Sequence, residues 1–464
     1  MVVRKMLKTI PAARKEQIKS IAAFTPFGWR YGSTYRGWGT FLKGAQKWSR
    51  PQIEAWQLDK LKGIVRHAYE KTEGYRDLYR QAGVCPEDIQ TLGDIRFLPF
   101  TTKELFRDNL EAFSVKSNFR VYLTTGGSTG IPFGFYESYN NIEIEDAFMH
   151  TGWSWAGWKR GSRSAILRGA FIGSENSHWK YDPYNRDLLL SSYYLTEKTL
   201  EGYLKVLKQY KPKVLQAYPS SLNLFCDLLK DAHLCGEIGF DLILLGSENV
   251  YDWQLTKFKE IFPHAKIHGW YGHAEKAVLA PWCEYEEVYH LWPFYGFTEI
   301  LGEKNQEVNE GLEGELVGTS FHNLVTPFIR YRTMDRAIKG SPNCPSCGRA
   351  FPILKSISGR SHEVIVTASG RYISMTAINM HDDIFDGLRQ FQFLQEQPGK
   401  VIFKYLPKKE LLPSEITSIQ IRLMLKLGND MELSMVPVNE IPRTKSGKYR
   451  FLDQRLPIRY GDVE

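Results

Sequence analysis

The sequence predicts an α/β protein of more than one domain, and three observations carry that prediction. Its 464 residues exceed one small core and, at roughly 100–200 residues per domain, suggest two to four domains. Up to residue 359, short β-type runs alternate with stretches of helical apolar spacing, the pattern of sheets layered with helices. Beyond Gly359 and Arg360 the pattern changes to short strands mixed with helices, a smaller α+β tail. The composition, 43% hydrophobic, 14% aromatic and 24% charged, is that of a globular chain and argues against disorder or a fibrous architecture.

Taken in order, residues 1–50 are expected to form an N-terminal extension packed on the main domain. The stretch before Phe24 is interrupted by Arg4, Lys5, Lys8, Arg14, Lys15, Glu16 and Lys19. No run reaches the roughly 20 apolar residues of a bilayer span, so neither signal peptide nor transmembrane anchor is expected. Between residues 51 and 79, Ile53, Trp56, Leu58, Leu61, Ile64, Val65 and Tyr69 recur at helical spacing with Asp59, Arg66 and Glu70 opposite, predicting an early helix. The string LPFTTKELFRDN at 98–109 sets a threonine pair before such a pattern, a capped helix start. A β run at 119–123 feeds a Gly, Ser and Thr cluster. Strands are expected near 214–216, 242–245 and 315–319, and helices over 200–210 and 253–262. In the tail, strands fall at 363–367 and 400–405 and helices at 378–385 and 413–427. The boundary near 360 divides a large domain, 51–359, from a small one, 360–464.

The formal net charge of +8 is spread along the chain rather than gathered in a block, which argues against nucleic acid as the partner; a polyanionic cofactor explains the same bias. The six cysteines, Cys85, Cys226, Cys235, Cys283, Cys344 and Cys347, are too few and too unevenly spaced for a secreted disulfide framework, so a reducing cytoplasm is the expected location.

The string TTGGSTGIP at 124–132 follows a β run and is the densest cluster of small and hydroxyl residues in the chain. Such a loop lets backbone N–H groups approach an anion without Cβ interference, while Thr125, Ser128 and Thr129 add hydroxyl donors. It is neither a Walker A loop nor a dinucleotide fingerprint. Read alone it is a triphosphate cradle or an ordinary Gly/Ser loop.

Four further strings follow in order: GWYGHAE at 269–275, RYRTMD at 330–335, GRSHEVI at 359–365 and PRTKSGKYR at 442–450. With the loop they resemble the motif series of the adenylate-forming superfamily of acyl-CoA ligases, adenylation domains and luciferases. HAYEKTEGYRDLY at 67–79, LPFTTKEL at 98–105, LLGSE at 244–248 and the cysteine pattern narrow the resemblance to the phenylacetate-CoA ligase branch and its capsular polysaccharide relatives. It covers the chain from about Pro51 onward.

That resemblance implies a large N-terminal adenylate-forming domain of layered sheets and helices with a small mobile C-terminal domain. ATP, Mg²⁺ and coenzyme A are its implied cofactors, and a carboxylic acid, aryl or otherwise small, its substrate. It makes Lys448 the catalytic lysine that bridges carboxylate and α-phosphate oxygens, because two anions must be brought together. Glu275 would act with it by holding Mg²⁺. Thr125, Gly127, Ser128, Thr129 and Gly130 would cradle phosphates; Gly246, Ser247, Glu248, Tyr271, Gly272 and His273 would wall the adenine; Asp335 would bind the ribose, Arg360 the nucleotide, and His362 would mark the hinge. Phe133, His273, Ala274 and Met334 depart from the broad superfamily, where Lys, an x-Thr pair and Gly are common.

Cys344 and Cys347 form a C-x2-C turn followed by Gly348, half of a tetrahedral metal site. In the branch it resembles, a Cys and a His complete the shell, here Cys283 and His290, implying structural Zn²⁺; two buried thiols with an ordinary histidine are the alternative. Trp153, Trp155, Trp158, Tyr218 and Trp270 would line an aryl pocket or pack a core. Three functions follow: an ATP-dependent acid-thiol ligase, AMP-forming; acyl-AMP-dependent transfer to an amine or hydroxyl; and a nucleotide-binding module without catalysis, against which the retained Lys448 argues.

Overall fold

The computed structural model describes residues 21, 23–25, 30–117, 120–124, 133–168, 178–360, 364–370, 372–374, 378, 385, 387–443 and 450–456. The first helices are α1 (Ser33–Ala45), α2 (Arg50–Lys71), α3 (Glu73–Ala82) and α4 (Lys103–Asn109), followed by β1 (Arg120–Thr124), β2 (Gly134–Ser138) and α5 (Tyr139–Trp155). Next come β3 (Ser164–Arg168), β4 (Trp179–Asp182), β5 (Asp187–Ser191), α6 (Glu197–Tyr210), β6 (Val214–Ala217), α7 (Pro219–Asp231), β7 (Leu242–Leu245) and α8 (Asp252–Ile261). Seven strands then run from β8 (Lys266–Gly272) through β9 (Leu279–Pro281), β10 (Tyr289–His290), β11 (Gly296–Leu301), β12 (Glu313–Ser320) and β13 (Tyr331–Lys339) to β14 (Ile353–Arg360). The tail holds β15 (Val364–Val366), β16 (Tyr372–Ser374), β17 (Leu388–Gln397), β18 (Lys400–Pro407), α9 (Pro413–Leu427), β19 (Glu432–Pro437) and β20 (Leu452–Gln454). The fold is α/β, as the alternating pattern predicts.

The helix expected over 51–79 is two helices. Thr72 ends α2 and begins α3: its hydroxyl donates to the Ala68 carbonyl at 2.8 Å and accepts the Tyr75 N–H at 3.4 Å. One side chain thus adds a second bond to the Ala68 carbonyl, which also accepts the Thr72 N–H, and meets an orphan N–H at the start of α3. At α4 the threonine pair divides its work. Thr102 caps the helix by accepting the Leu105 N–H at 3.2 Å, and Thr101 is buried and turned inward.

Contacts divide the chain into two compact units, the first comprising 1–162, 182–186 and 268–356 and the second 163–181, 187–267 and 357–464. In the first, an antiparallel sheet of order β10-β14-β13-β12-β11 carries the segments that follow the GWYGHAE string. An aromatic core of Phe106, Phe133, Phe135, Phe328 and Tyr331 packs beneath it, and α1 lies on α5.

In the second unit, β4-β5-β3-β6-β7 lie side by side, with β3 parallel to β5 and β6, and β6 parallel to β7. All four residues of β7 are buried, as expected for a strand covered on both faces. The tail adds a mixed sheet, β19-β18-β17-β20, whose core joins Phe391, Phe393, Phe403 and Leu423. Among the described residues no helix is long and apolar enough to cross a membrane.

Candidate active site and metal centre

In the first unit the GWYGHAE and RYRTMD strings meet. Tyr271, near the end of β8, donates its hydroxyl to Asp335 Oδ2 at 2.6 Å. Glu275 lies in the turn beyond β8, and both of its oxygens are engaged: Oε1 accepts from the Tyr331 hydroxyl at 2.9 Å, and Oε2 lies 3.1 Å from His273 Nδ1. The Val278 N–H donates to His273 Nε2 at 3.2 Å, so the proton sits on Nδ1 and the imidazole donates to Glu275. Burial opposes the charge on Glu275, but His273 and the Tyr331 hydroxyl outweigh it and pull the carboxyl down to about 2.

The turn itself is fixed from below. Lys276 adopts φ +58° and is buried, with Nζ 2.7 Å from Glu137 Oε2 and 2.8 Å from Glu145 Oε2. A side chain on Gly296 would lie 2.5 Å from the Ala277 carbonyl oxygen, and one on Gly318 would lie 2.8 Å from the Ala277 Cβ. Only glycine leaves room at these two positions for the turn to settle on β11 and β12. Sequence reasoning missed Lys276, Glu137 and Glu145; the one signal was a lysine directly following the motif glutamate.

The RYRTMD string is braced against LPFTTKEL. Arg330 forks onto Glu299 at 3.0 and 2.8 Å and donates to the carbonyls of Arg96 and Leu98. Thr101 N–H donates to the Arg330 carbonyl at 3.1 Å, and the Arg332 N–H returns to the Thr101 carbonyl at 2.9 Å. Met334 adopts φ +63° where β12 and β13 shift register between Glu315 and Val317. A left-handed residue at a bulge explains why glycine is common there. Phe133 is fully buried, with the Lys103 ammonium 6.0 Å from its ring centroid.

In the second unit, Gly246, Ser247 and Glu248 follow β7 in a turn where Ser247 takes φ +69°. Glu248 reaches the first turn of α7, accepting the Ser220 N–H at 2.9 Å and lying 3.0 Å from its hydroxyl. Gly272 ends β8 and Arg360 ends β14. Thr125, Gly127, Ser128, Thr129, Gly130, His362 and Lys448 lie outside the described residues.

Cys283, His290, Cys344 and Cys347 bring one donor atom each within 4.8 Å of one another. The Cys283 and Cys344 sulfurs are 3.9 Å apart, and Cys347 Sγ is 3.5 Å from His290 Nε2. Tetrahedral zinc, with bonds of about 2.3 Å to sulfur and about 2.0–2.1 Å to nitrogen, sets these separations near 3.8 and 3.5 Å. Both separations match the ion, so the four donors form a candidate site for it. Arg349 and Glu284 form a two-pronged ion pair at 2.7 and 2.8 Å beside it, and the Arg349 guanidinium lies 4.0 Å from the Trp155 ring. Trp155 therefore belongs to the surroundings of this cluster, with its ring 5.5 Å from His290.

A family model described as the CapK C-terminal domain matches residues 365–454. Phenylacetate-coenzyme A ligase of Escherichia coli (strain K12) is 24% identical over 429 residues, covering 87% of this chain and 95% of that protein. Protein CapK of Staphylococcus aureus is 22% identical over 412 residues, covering 85% and 88%. A crystal structure of 2-hydroxyisobutyryl-CoA ligase in the postadenylation state in complex with 2-HIB-AMP shares the fold, with a TM-score of 0.72 at 17% identity over 87% of this chain and 90% of that one. Ordered motifs, fold and relatives agree: the chain is a homologue of the phenylacetate-coenzyme A ligases and of CapK, and it shares its fold with a solved CoA ligase.

Proposed function

We propose that the protein is an AMP-forming acid-thiol ligase that activates a carboxylic acid as its acyl-AMP, releases pyrophosphate and passes the acyl group to coenzyme A. The observation that carries this reading is that the GWYGHAE and RYRTMD strings bond to each other twice, Tyr271 to Asp335 and Tyr331 to Glu275, with Glu275 held ionised and its turn anchored by Lys276. Asp335 would accept the ribose hydroxyls, oriented by Tyr271. Each Glu275 oxygen offers a further lone pair beyond its hydrogen bond, which suits a hard cation. Mg²⁺ held there would offset charge on the ATP phosphates. The 125–130 loop would bind those phosphates, and Lys448, delivered by the 360–464 domain turning about His362, would neutralise the charge that builds as carboxylate attacks the α-phosphate.

Zn²⁺ held by Cys283, His290, Cys344 and Cys347 would fill all four positions and leave none for water. Its role is then to pin the segment after Glu275 to the segment after Asp335. Elemental analysis of the purified protein should return one zinc per chain, and Cys344→Ser should lose it.

The test of the ligase reading is pyrophosphate and AMP release over a panel of acids, with and without coenzyme A. Lys448→Ala should abolish acyl-AMP formation while leaving ATP affinity within about tenfold, or about 1.4 kcal/mol; near-normal adenylation by that variant rejects the assignment. In a second reading, an amine or hydroxyl takes the acyl group in place of coenzyme A. Acyl-AMP that forms but does not pass to coenzyme A would select it.

A further inference from the structure

One ammonium in the first unit joins three segments that lie far apart in sequence. Lys276 Nζ is 2.7 Å from Glu137 Oε2, near the end of β2, and 2.8 Å from Glu145 Oε2, in the second turn of α5. Asn141 Nδ2 donates to the same Glu137 oxygen at 2.9 Å. Lys276, Glu137 and Asn141 are all buried, and Glu145 is half-buried. Burial pulls the Lys276 pKa down, but Glu145 and Glu137 outweigh it and leave it raised, so the lysine keeps its charge.

The position holds a lysine at a backbone cost. Its φ of +58° is left-handed, which costs a residue with a Cβ about 1–2 kcal/mol and spares glycine that cost. Strain of this kind persists where the surroundings over-determine the residue, and here two carboxylates hold the side chain.

Where Glu137 sits shows what the bridge connects. β1 and β2 pair antiparallel from Arg120 with Ser138 to Thr124 with Gly134, so the chain enters and leaves the TTGGSTGIP string at this hairpin. The other side of the hairpin is held separately: the Tyr136 N–H donates to Thr326 Oγ1 at 3.2 Å, and Asn323 Nδ2 donates to the Tyr136 carbonyl at 3.0 Å. At its opposite end the bridge begins one residue after Glu275, whose carboxylate is bonded to Tyr331 and His273. A single ion pair therefore links the Glu275 turn to the hairpin across 139 residues of sequence.

We propose that Lys276 is a positioning residue for acyl-AMP formation, coupling Glu275 to the hairpin that carries the phosphate-binding string through its bridge to Glu137. This inference rests on the ligase reading and deepens it. In that reading Glu275 holds the cation and the string holds the phosphates that the cation must meet, so their separation is part of the chemistry. A misplacement of about 1 Å in such a geometry costs about a hundredfold in rate. Glu145 has a different part: it steadies the lysine from α5, and its loss leaves the bridge between turn and hairpin in place.

The experiment compares the full-length wild type with Glu137→Gln, Glu145→Gln, Lys276→Met and Lys276→Arg, by ATP–pyrophosphate exchange over a panel of acids and by hydrogen exchange of the β2 amides without ligand. Glu137→Gln should lower kcat by about tenfold or more, and Glu145→Gln by no more than about threefold. Lys276→Met should lower kcat about a hundredfold with KM for the acid within about threefold, and Lys276→Arg should recover to within about tenfold of wild type because the cation is kept. Without ligand, the β2 amides should exchange faster in Glu137→Gln than in Glu145→Gln, a difference that a loss of buried charge common to both does not produce. Equal losses of kcat in the two glutamine variants, or β2 amides that exchange alike in both, overturn the coupling and leave the ligase reading standing. The glutamine pair decides the matter even if Lys276→Met fails to fold. Exchange with no acid in the wild type rejects the ligase reading, and the coupling with it.

Discussion

The turn around Glu275 and the strand edge around Arg168 are both buried and polar, yet they are finished differently. Each oxygen of Glu275 already has a protein partner, and the lysine behind it is clasped by two glutamates. Along the strand edge, the hydroxyls of Ser191 and Ser192 and Nδ1 of His178 have no hydrogen-bond partner among the described residues. A site whose groups are held before any ligand arrives is preorganised for a part of the substrate that never changes. Buried hydroxyls without such partners add no bond to offset the cost of their burial, which packing must then meet.

The comparison breaks most readily at Lys276. Lys276→Met should leave the buried Glu137 and the half-buried Glu145 without their cation and destabilise the first unit by about 3–5 kcal/mol, read by chemical denaturation. A loss below about 1 kcal/mol would mean that packing, not charge, holds the turn.

A smaller effect separates Glu275 itself from its surroundings. Its carboxyl is pulled below its unfolded value, to about 2, so its stabilising contribution is complete above about pH 5 and fades as pH falls towards 2. That contribution is on the order of 3 kcal/mol. In Glu275→Gln this acid-side decline should be missing, so the stability gap between wild type and variant should narrow between pH 6 and pH 3. A gap that stays constant over that window would show that the pair with His273 does not favour the charged form.

How legible each region is in the sequence follows from the distance over which its residues cooperate. Cys344 and Cys347 announce themselves because two thiols three residues apart already share a geometry, and the structure brings Cys283 and His290 to them. The strand at 242–245 is legible because an all-apolar run with turn signals on either side has few other uses. Lys276 is not, since its partner Glu137 is 139 residues away and a lone glutamate reads as solvated surface. Arg168 is equally silent: an arginine at the end of a short strand looks like an ordinary terminus until the neighbouring strands are set beside it. The break at Thr72 escapes because apolar spacing continues through it, and the change of direction is marked by its extended backbone and by the two hydrogen bonds of its hydroxyl. Periodicity reports which face is buried, not where the backbone bends.

The finest test lies at Met334, a strained residue within the otherwise preorganised first unit. Its φ of +63° is a conformation that costs a side-chain-bearing residue about 1–2 kcal/mol, and glycine avoids that cost while losing about 0.5–1 kcal/mol more backbone freedom on folding. The bulge is held independently of the side chain, because the Met334 N–H donates to Glu315 Oε1 at 3.3 Å while Arg332 grips the other oxygen of the same carboxylate at 2.6 Å. Met334→Gly should therefore keep the register of β12 and β13 and raise stability by about 0.5 kcal/mol, measured as a small rise in denaturation midpoint at unchanged slope. A loss of more than about 1 kcal/mol would mean that the methionine side chain contributes packing that outweighs its backbone strain. The left-handed position would then be held by the side chain that occupies it, and not by the carboxylate beneath.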